Sequence, residues 1–107
     1  MFLDPNMLSH TVYFKLKDSS KEAAEALTTD CQTYLKNHPG VQFFAAGPLA
    51  PEFNRPVNDH DFDVCLHVVF DTKESHDSYQ VAKDHLTFID RNKESWENVR
   101  VFDAYVD

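Results

Sequence analysis

The chain has 107 residues, the length of one domain built on one core. Its formal net charge of −8 at pH 7 and pI near 5.0 repel phosphate backbones and anionic lipid surfaces, which argues against nucleic acid and membrane as partners. The two cysteines, Cys31 and Cys65, show no CxxC or Cys/His zinc spacing and read as reduced thiols.

No basic leader with a long apolar segment opens the chain, and no apolar run reaches the roughly 18 residues of a membrane helix. A cytoplasmic location is therefore expected. Nine phenylalanines are many for this length, so part of the aromatic load is expected to lie against another subunit.

Residues 1–7 read as an N-terminal extension, with a turn favoured at Asp4-Pro5-Asn6, and residues 8–107 as a single domain. Leu8 to Lys17 alternates cleanly. His10, Val12, Phe14 and Leu16 take one face and Thr11, Tyr13, Lys15 and Lys17 the other, which predicts a strand. Ser19 and Glu22 have capping-box spacing. Ala24, Leu27, Cys31, Tyr34 and Leu35 then recur at helical intervals, predicting a helix over about 20–36 that His38-Pro39-Gly40 stops. Val41 to Ala46 predicts a second strand, closed by Gly47-Pro48.

Residues 48–61 hold three prolines and no periodicity, hence a long loop. Its Asn54-Arg55 either covers a pocket mouth or belongs to a solvated connection. Phe62, Val64, Leu66, Val68 and Phe70 alternate with Asp63, Cys65, His67 and Val69, the clearest strand pattern in the chain. Asp71, with Glu74 three residues on, is placed to cap a helix running through Tyr79. A break near residues 81–84 separates it from a helix over 84–93, and Val99 to Tyr105 is the last strand.

The order β-α-β-β-α-β predicts an α+β, ferredoxin-like subunit: one four-stranded antiparallel sheet with its helices on one face. The uncovered face would carry Tyr13, Gln42, Phe44, Cys65, His67, Val69 and Phe102, too aromatic a mixture for water. It predicts a homodimer joined sheet to sheet through that open face.

The segment from Tyr79 to Tyr105 is the most informative. Tyr79 and His85 stand six residues apart, Phe88 follows three after the histidine, and Trp96 precedes the strand VRVFD. Polar and aromatic groups on an amphipathic segment suggest a lined cavity rather than a plain core.

Taken together, HTVYFKLK, HPGV, Gly47, FDVCLHVVFD, the Tyr79–His85 spacing, Trp96 and VRVFD resemble the Dabb family, the stress-responsive dimeric α/β-barrel domain, over about residues 8–106. The resemblance implies a homodimer whose two sheets close into a barrel. Most members have no assigned activity. One characterised relative, the plant olivetolic acid cyclase, closes a linear polyketide acid by an aldol condensation without a metal. By that resemblance Tyr79 and His85 correspond to its catalytic pair and His10 to its strand-one histidine. Its cavity wall corresponds to Val12, Phe14, Leu66, Phe88, Trp96, Val99 and Val101. This chain has Ala82-Lys83 where many members carry His-Pro, and its proline-rich loop has no counterpart in the cyclase.

The residues themselves allow the same chemistry. His85, with an ordinary pKa of about 6.5, can act as a general base near neutral pH. A neighbouring phenol, Tyr79, can fix its tautomer or donate to a substrate carbonyl. Burial of Phe88 and Ile89 on the same helical face turns His85 inward, within hydrogen-bond reach of Tyr79 or one water away. The alternative is a histidine–tyrosine pair that only ties helix to sheet. His10 either completes the site or satisfies a backbone carbonyl.

No metal site is expected. Asp63 and His67 lie about 13 Å apart along a strand, which separates the His60, Asp61, Asp63 and His67 group. His38 and His76 read as surface residues. Phosphate-loop, flavin and nicotinamide fingerprints are missing, so no cofactor is expected. Three functions remain: a protein that binds or converts a small hydrophobic, aromatic or polyketide-like molecule; a non-catalytic stress-related dimer; and a cofactor-free monooxygenase.

Overall fold

The structure, a computed structural model, describes residues 7–107, so the turn expected at Asp4-Pro5-Asn6 lies outside the described residues. Strand β1 spans Met7–Leu16, helix α1 Lys21–Leu35, strand β2 Val41–Pro48 and strand β3 Val64–Phe70. Helices α2 (Lys73–Val81) and α3 (Lys83–Asn92) follow, then a 3₁₀ turn at Lys93–Ser95 and strand β4 at Trp96–Val106. The strands form one antiparallel sheet in the order β2-β3-β1-β4. This is the ferredoxin-like α+β fold that the alternation and helical stripes predict, with the second helix divided in two.

The two central strands show why. β1 and β3 alternate buried and half-buried residues along their full length. Their inward sets, Val12, Phe14, Leu16 and Val64, Leu66, Val68, Phe70, meet the α1 stripe of Ala24, Leu27, Cys31 and Leu35. Burying one such large side chain contributes roughly 1.5–3 kcal/mol. Cys31 is fully buried, and that burial pushes its thiol up to about 12, so it behaves as an apolar core residue. No described helix is long and apolar enough to cross a membrane.

Both helix starts shift by one residue. Ser20, not Ser19, caps α1, accepting from the Ala23 N–H at 3.1 Å. Ser19 donates instead to the Asp63 carboxylate at 3.1 Å. Thr72, not Asp71, caps α2, accepting from the Ser75 N–H at 3.1 Å, and Asp71 accepts from the Ser75 hydroxyl at 2.6 Å. In each case a second polar neighbour gives the expected residue another partner.

Gly40 has φ of +92°, as a chain leaving a helix for a strand requires. A Cβ there would lie 2.3 Å from Ser75 Oγ, so the HPG turn is also where β2 passes close to the start of α2.

The face assignment of β2 differs from expectation. Val41 pairs with Phe70 but Phe43 with Val69, a bulge that absorbs Gln42. One extra residue reverses the alternation. Phe44 therefore packs against the core, and Phe43, 51% exposed, joins the open face beside His67. Phe62 also leaves its expected side. It lies before β3 begins and stacks edge-on against Tyr13 of the open face at 4.8 Å.

Candidate functional site

The helix division creates the site. Ala82 adopts extended backbone (φ −66°, ψ 147°), ending α2 and starting α3 without a side-chain cap. In an unbroken helix, residues six apart would point about 120° from each other. The break brings them together: the Tyr79 and His85 rings meet edge-on with centroids 4.7 Å apart.

These two rings form part of the wall of a cavity of about 190 Å³ between sheet and helices. β1 contributes His10, Val12 and Phe14, β3 contributes Leu66, and β4 contributes Trp96, Val99 and Val101. α3 contributes His85, Phe88 and Ile89, α2 Tyr79 and Gln80, and α1 Leu35. All ten residues singled out as catalytic or wall positions in the sequence thus border one space. Phe14, Phe88 and Trp96 form its aromatic end, with centroid separations of 5.0 to 6.2 Å.

Three buried side-chain polar atoms among the described residues lack any hydrogen-bond partner in the chain: Tyr79 Oη, His85 Nδ1 and Trp96 Nε1. All three residues line this cavity. The expected hydrogen bond between Tyr79 and His85 is not formed within the chain. The rings touch, and each keeps its polar atom unpaired. Leaving such a group unsatisfied costs about 1–3 kcal/mol.

The electrostatics suit acid–base work. Burial, then the nearby His10, His76 and His38, pull the His85 pKa down, against the Gln80 carbonyl, which raises it. The imidazole is therefore neutral near pH 7 and can accept a proton. Burial drives the Tyr79 phenol well above its usual range, so it remains a donor. His10 is buried, and its Nδ1 lies 2.6 Å from Asp103 Oδ1. Burial lowers its pKa more than the Asp103 hydrogen bond and charge raise it.

Two further histidines are not surface residues. His38 packs edge-on against Tyr79 at 5.6 Å, and His76 lies 5.0 Å from the His10 ring. Nothing in the sequence pattern marks them: His38 lies past the end of α1, and His76, within α2, meets His10 only through the packing of that helix against β1. Asp103 was equally hidden until β1–β4 register placed it directly opposite His10.

Tyr79 and His85 also line a second cavity of about 280 Å³ with His38, Ala82, Lys83 and Asp84. They thus stand between a cleft at the α1 end and the inner space, and the Ala82-Lys83 pair lies on the cleft side.

The 48–61 loop covers neither. It folds over the open sheet face, where Arg100 donates to Asp59 at 3.0 Å and to the Asp61 carbonyl at 3.3 Å. Between loop and sheet lies a larger hollow of about 560 Å³, lined by Tyr13, Phe53, Arg55, Phe62, Arg100 and Phe102. None of the unpaired polar atoms borders it.

Known proteins agree with this architecture. A Dabb-family protein of ferredoxin-like fold from Mesorhizobium loti superposes with a TM-score of 0.76 at 25% identity, covering 94% of this chain and 96% of that one. A dimeric ferredoxin-like protein of unknown function from Thermobifida fusca gives 0.77 at 13% identity, covering 99% and 96%. Hydroxynitrile lyase from Passiflora edulis gives 0.76 at 15%, covering 97% and 96%. At 13% and 15% identity the last two speak to the fold alone. A comparison with curated proteins finds no match. The family described as Stress responsive A/B Barrel Domain, Dabb, matches residues 8–106, a span from β1 to the end of β4 that includes every cavity wall. The chain belongs to the Dabb family of stress-responsive A/B-barrel proteins.

Proposed function

We propose that the cavity between sheet and helices binds, and with His85 as general base converts, a small aromatic or polyketide-like molecule. The observation that carries this reading is the coincidence of three unpaired buried polar atoms on one apolar cavity. A cavity that served packing alone would gain stability from apolar residues at those positions. At about 190 Å³ the space is smaller than the roughly 300–1,000 Å³ of drug-sized sites, which favours a single-ring ligand.

In this reading neutral His85, with its proton on Nε2, accepts an acidic α-proton at Nδ1. The Tyr79 hydroxyl donates to the oxygen on which charge then develops. His10, held by Asp103, orients a polar end of the ligand. The subunit works as a homodimer through the open sheet face. Exposed Phe43 and Phe102 support that interface, and the Thermobifida fusca relative is described as dimeric.

Thermal-shift screening of single-ring aromatic acids and short polyketide acids tests the reading. A ligand that raises the melting temperature of the wild-type chain and loses that effect in His85→Gln supports it. The same shift in both proteins, or none in either, contradicts it. A non-catalytic role for the pair draws support from the tight seating of Tyr79, 1% exposed and 4.9 Å from the Phe70 ring. In that case His85→Gln lowers the melting temperature and changes no ligand response.

A further inference from the structure

His10 borders the cavity on one side and a second group of side chains on the other. It lies on β1 directly across from Asp103 on β4, and the two are joined at 2.6 Å. His76, on α2, brings its ring to 5.0 Å from the His10 ring. One imidazole nitrogen from each histidine and one Asp103 carboxylate oxygen all lie within 4.8 Å of one another.

We propose that His10, His76 and Asp103 form a binding site for a divalent transition-metal ion, with zinc the best match to the donors. Two imidazoles and one carboxylate are a donor set of zinc sites that keep one position open for water or a ligand. Metal–ligand bonds of about 2.0–2.2 Å put tetrahedral donor atoms roughly 3.4 Å apart, so donors as much as 4.8 Å apart must draw in while the 2.6 Å contact between His10 and Asp103 opens. The freedom to do so exists. His10 is fixed in the core at 5% exposure, whereas Asp103 is exposed and His76 only half-buried.

The surroundings support the same assignment. His76 Nδ1 lies 3.1 Å from Asp77 Oδ1, an arrangement that places the proton on Nδ1 and leaves the Nε2 lone pair available. A carboxylate behind the imidazole is the usual orienting partner of a metal-bound histidine. The Gln80 amide, 3.3 Å from His76 Nε2, occupies the approach and yields it on binding. Sequence spacing gives no hint of such a site, because each ligand comes from a different element.

The site shares His10 with the His85 reading, but His76 does not border that cavity, so His76→Gln probes the metal site separately. Zinc titration of the full chain by calorimetry, with cobalt absorption as a spectroscopic check, tests it. The expected result is one ion per chain, with affinity about tenfold or more weaker in His76→Gln and in Asp103→Asn and unchanged in His67→Gln. Both ligand variants lie outside the buried core, and unaltered circular dichroism and melting temperature show that they fold. Failure of the wild-type chain to bind zinc or cobalt saturably overturns the proposal. Equal affinity in wild type, His76→Gln and Asp103→Asn overturns it as well.

Discussion

The Tyr79 and His85 rings lie edge to face at 4.7 Å, yet neither polar atom at that contact has a hydrogen-bond partner within the chain. The pair is held by packing from Phe70, His38 and His10 and not by a bond of its own. That combination, packed rings with unsatisfied polar atoms on an apolar cavity, supports the proposed ligand site over an internal tie.

Acid should weaken the fold through these histidines. The folded-state pKa values of His85 and His10 lie below the ordinary 6.5, so the unfolded chain binds more protons as pH falls. The stability this contributes is present above about pH 6.5 and is lost progressively below it. Melting temperature followed from about pH 8 to pH 5 should therefore fall below 6.5, and less steeply in His85→Gln. A profile that is flat, or rises toward acid, contradicts the burial-driven shift.

Gly40→Ala should destabilise the protein by more than about 1 kcal/mol, because Ala is strained at φ +92° and its Cβ meets Ser75 at 2.3 Å. Urea denaturation measures this. The companion variant Gly47→Ala, at a position with open space for a Cβ, should change stability far less.

Phe43→Asp and Phe102→Asp should weaken the proposed dimer, since each would set an unpaired charge between two sheets. Phe44→Asp should act differently. Its ring packs against the core, so the fold loses stability before the dimer does. Light scattering with thermal unfolding separates the two effects. Equal loss of dimer and unchanged melting temperature in Phe43→Asp and Phe44→Asp would contradict the bulge-reversed register.

Much of this was legible in the chain. Alternation in β1 and β3 and the stripe of α1 each report on a face buried over its whole length, so pattern maps directly to structure. Phe44 was not legible, because a single bulged residue at Gln42 changes parity and no residue type announces it. The cap positions failed for a related reason: Ser19-Ser20 and Asp71-Thr72 each offer two candidates, and tertiary partners choose between them. For the site, the resemblance supplied the wall and the Tyr79–His85 spacing supplied the pair. Asp103, His38 and His76 depended on strand register and helix placement, which a linear pattern does not contain.

Thermal unfolding of Tyr79→Phe, with and without a ligand found by screening, shows whether the Tyr79 hydroxyl serves a ligand or the fold. Removing an unsatisfied buried hydroxyl should leave stability unchanged or raise it by up to ~1 kcal/mol while shrinking the ligand-induced rise in melting temperature. A variant that melts well below wild type and responds to ligand as wild type does would show that the hydroxyl is structural, and would contradict the site.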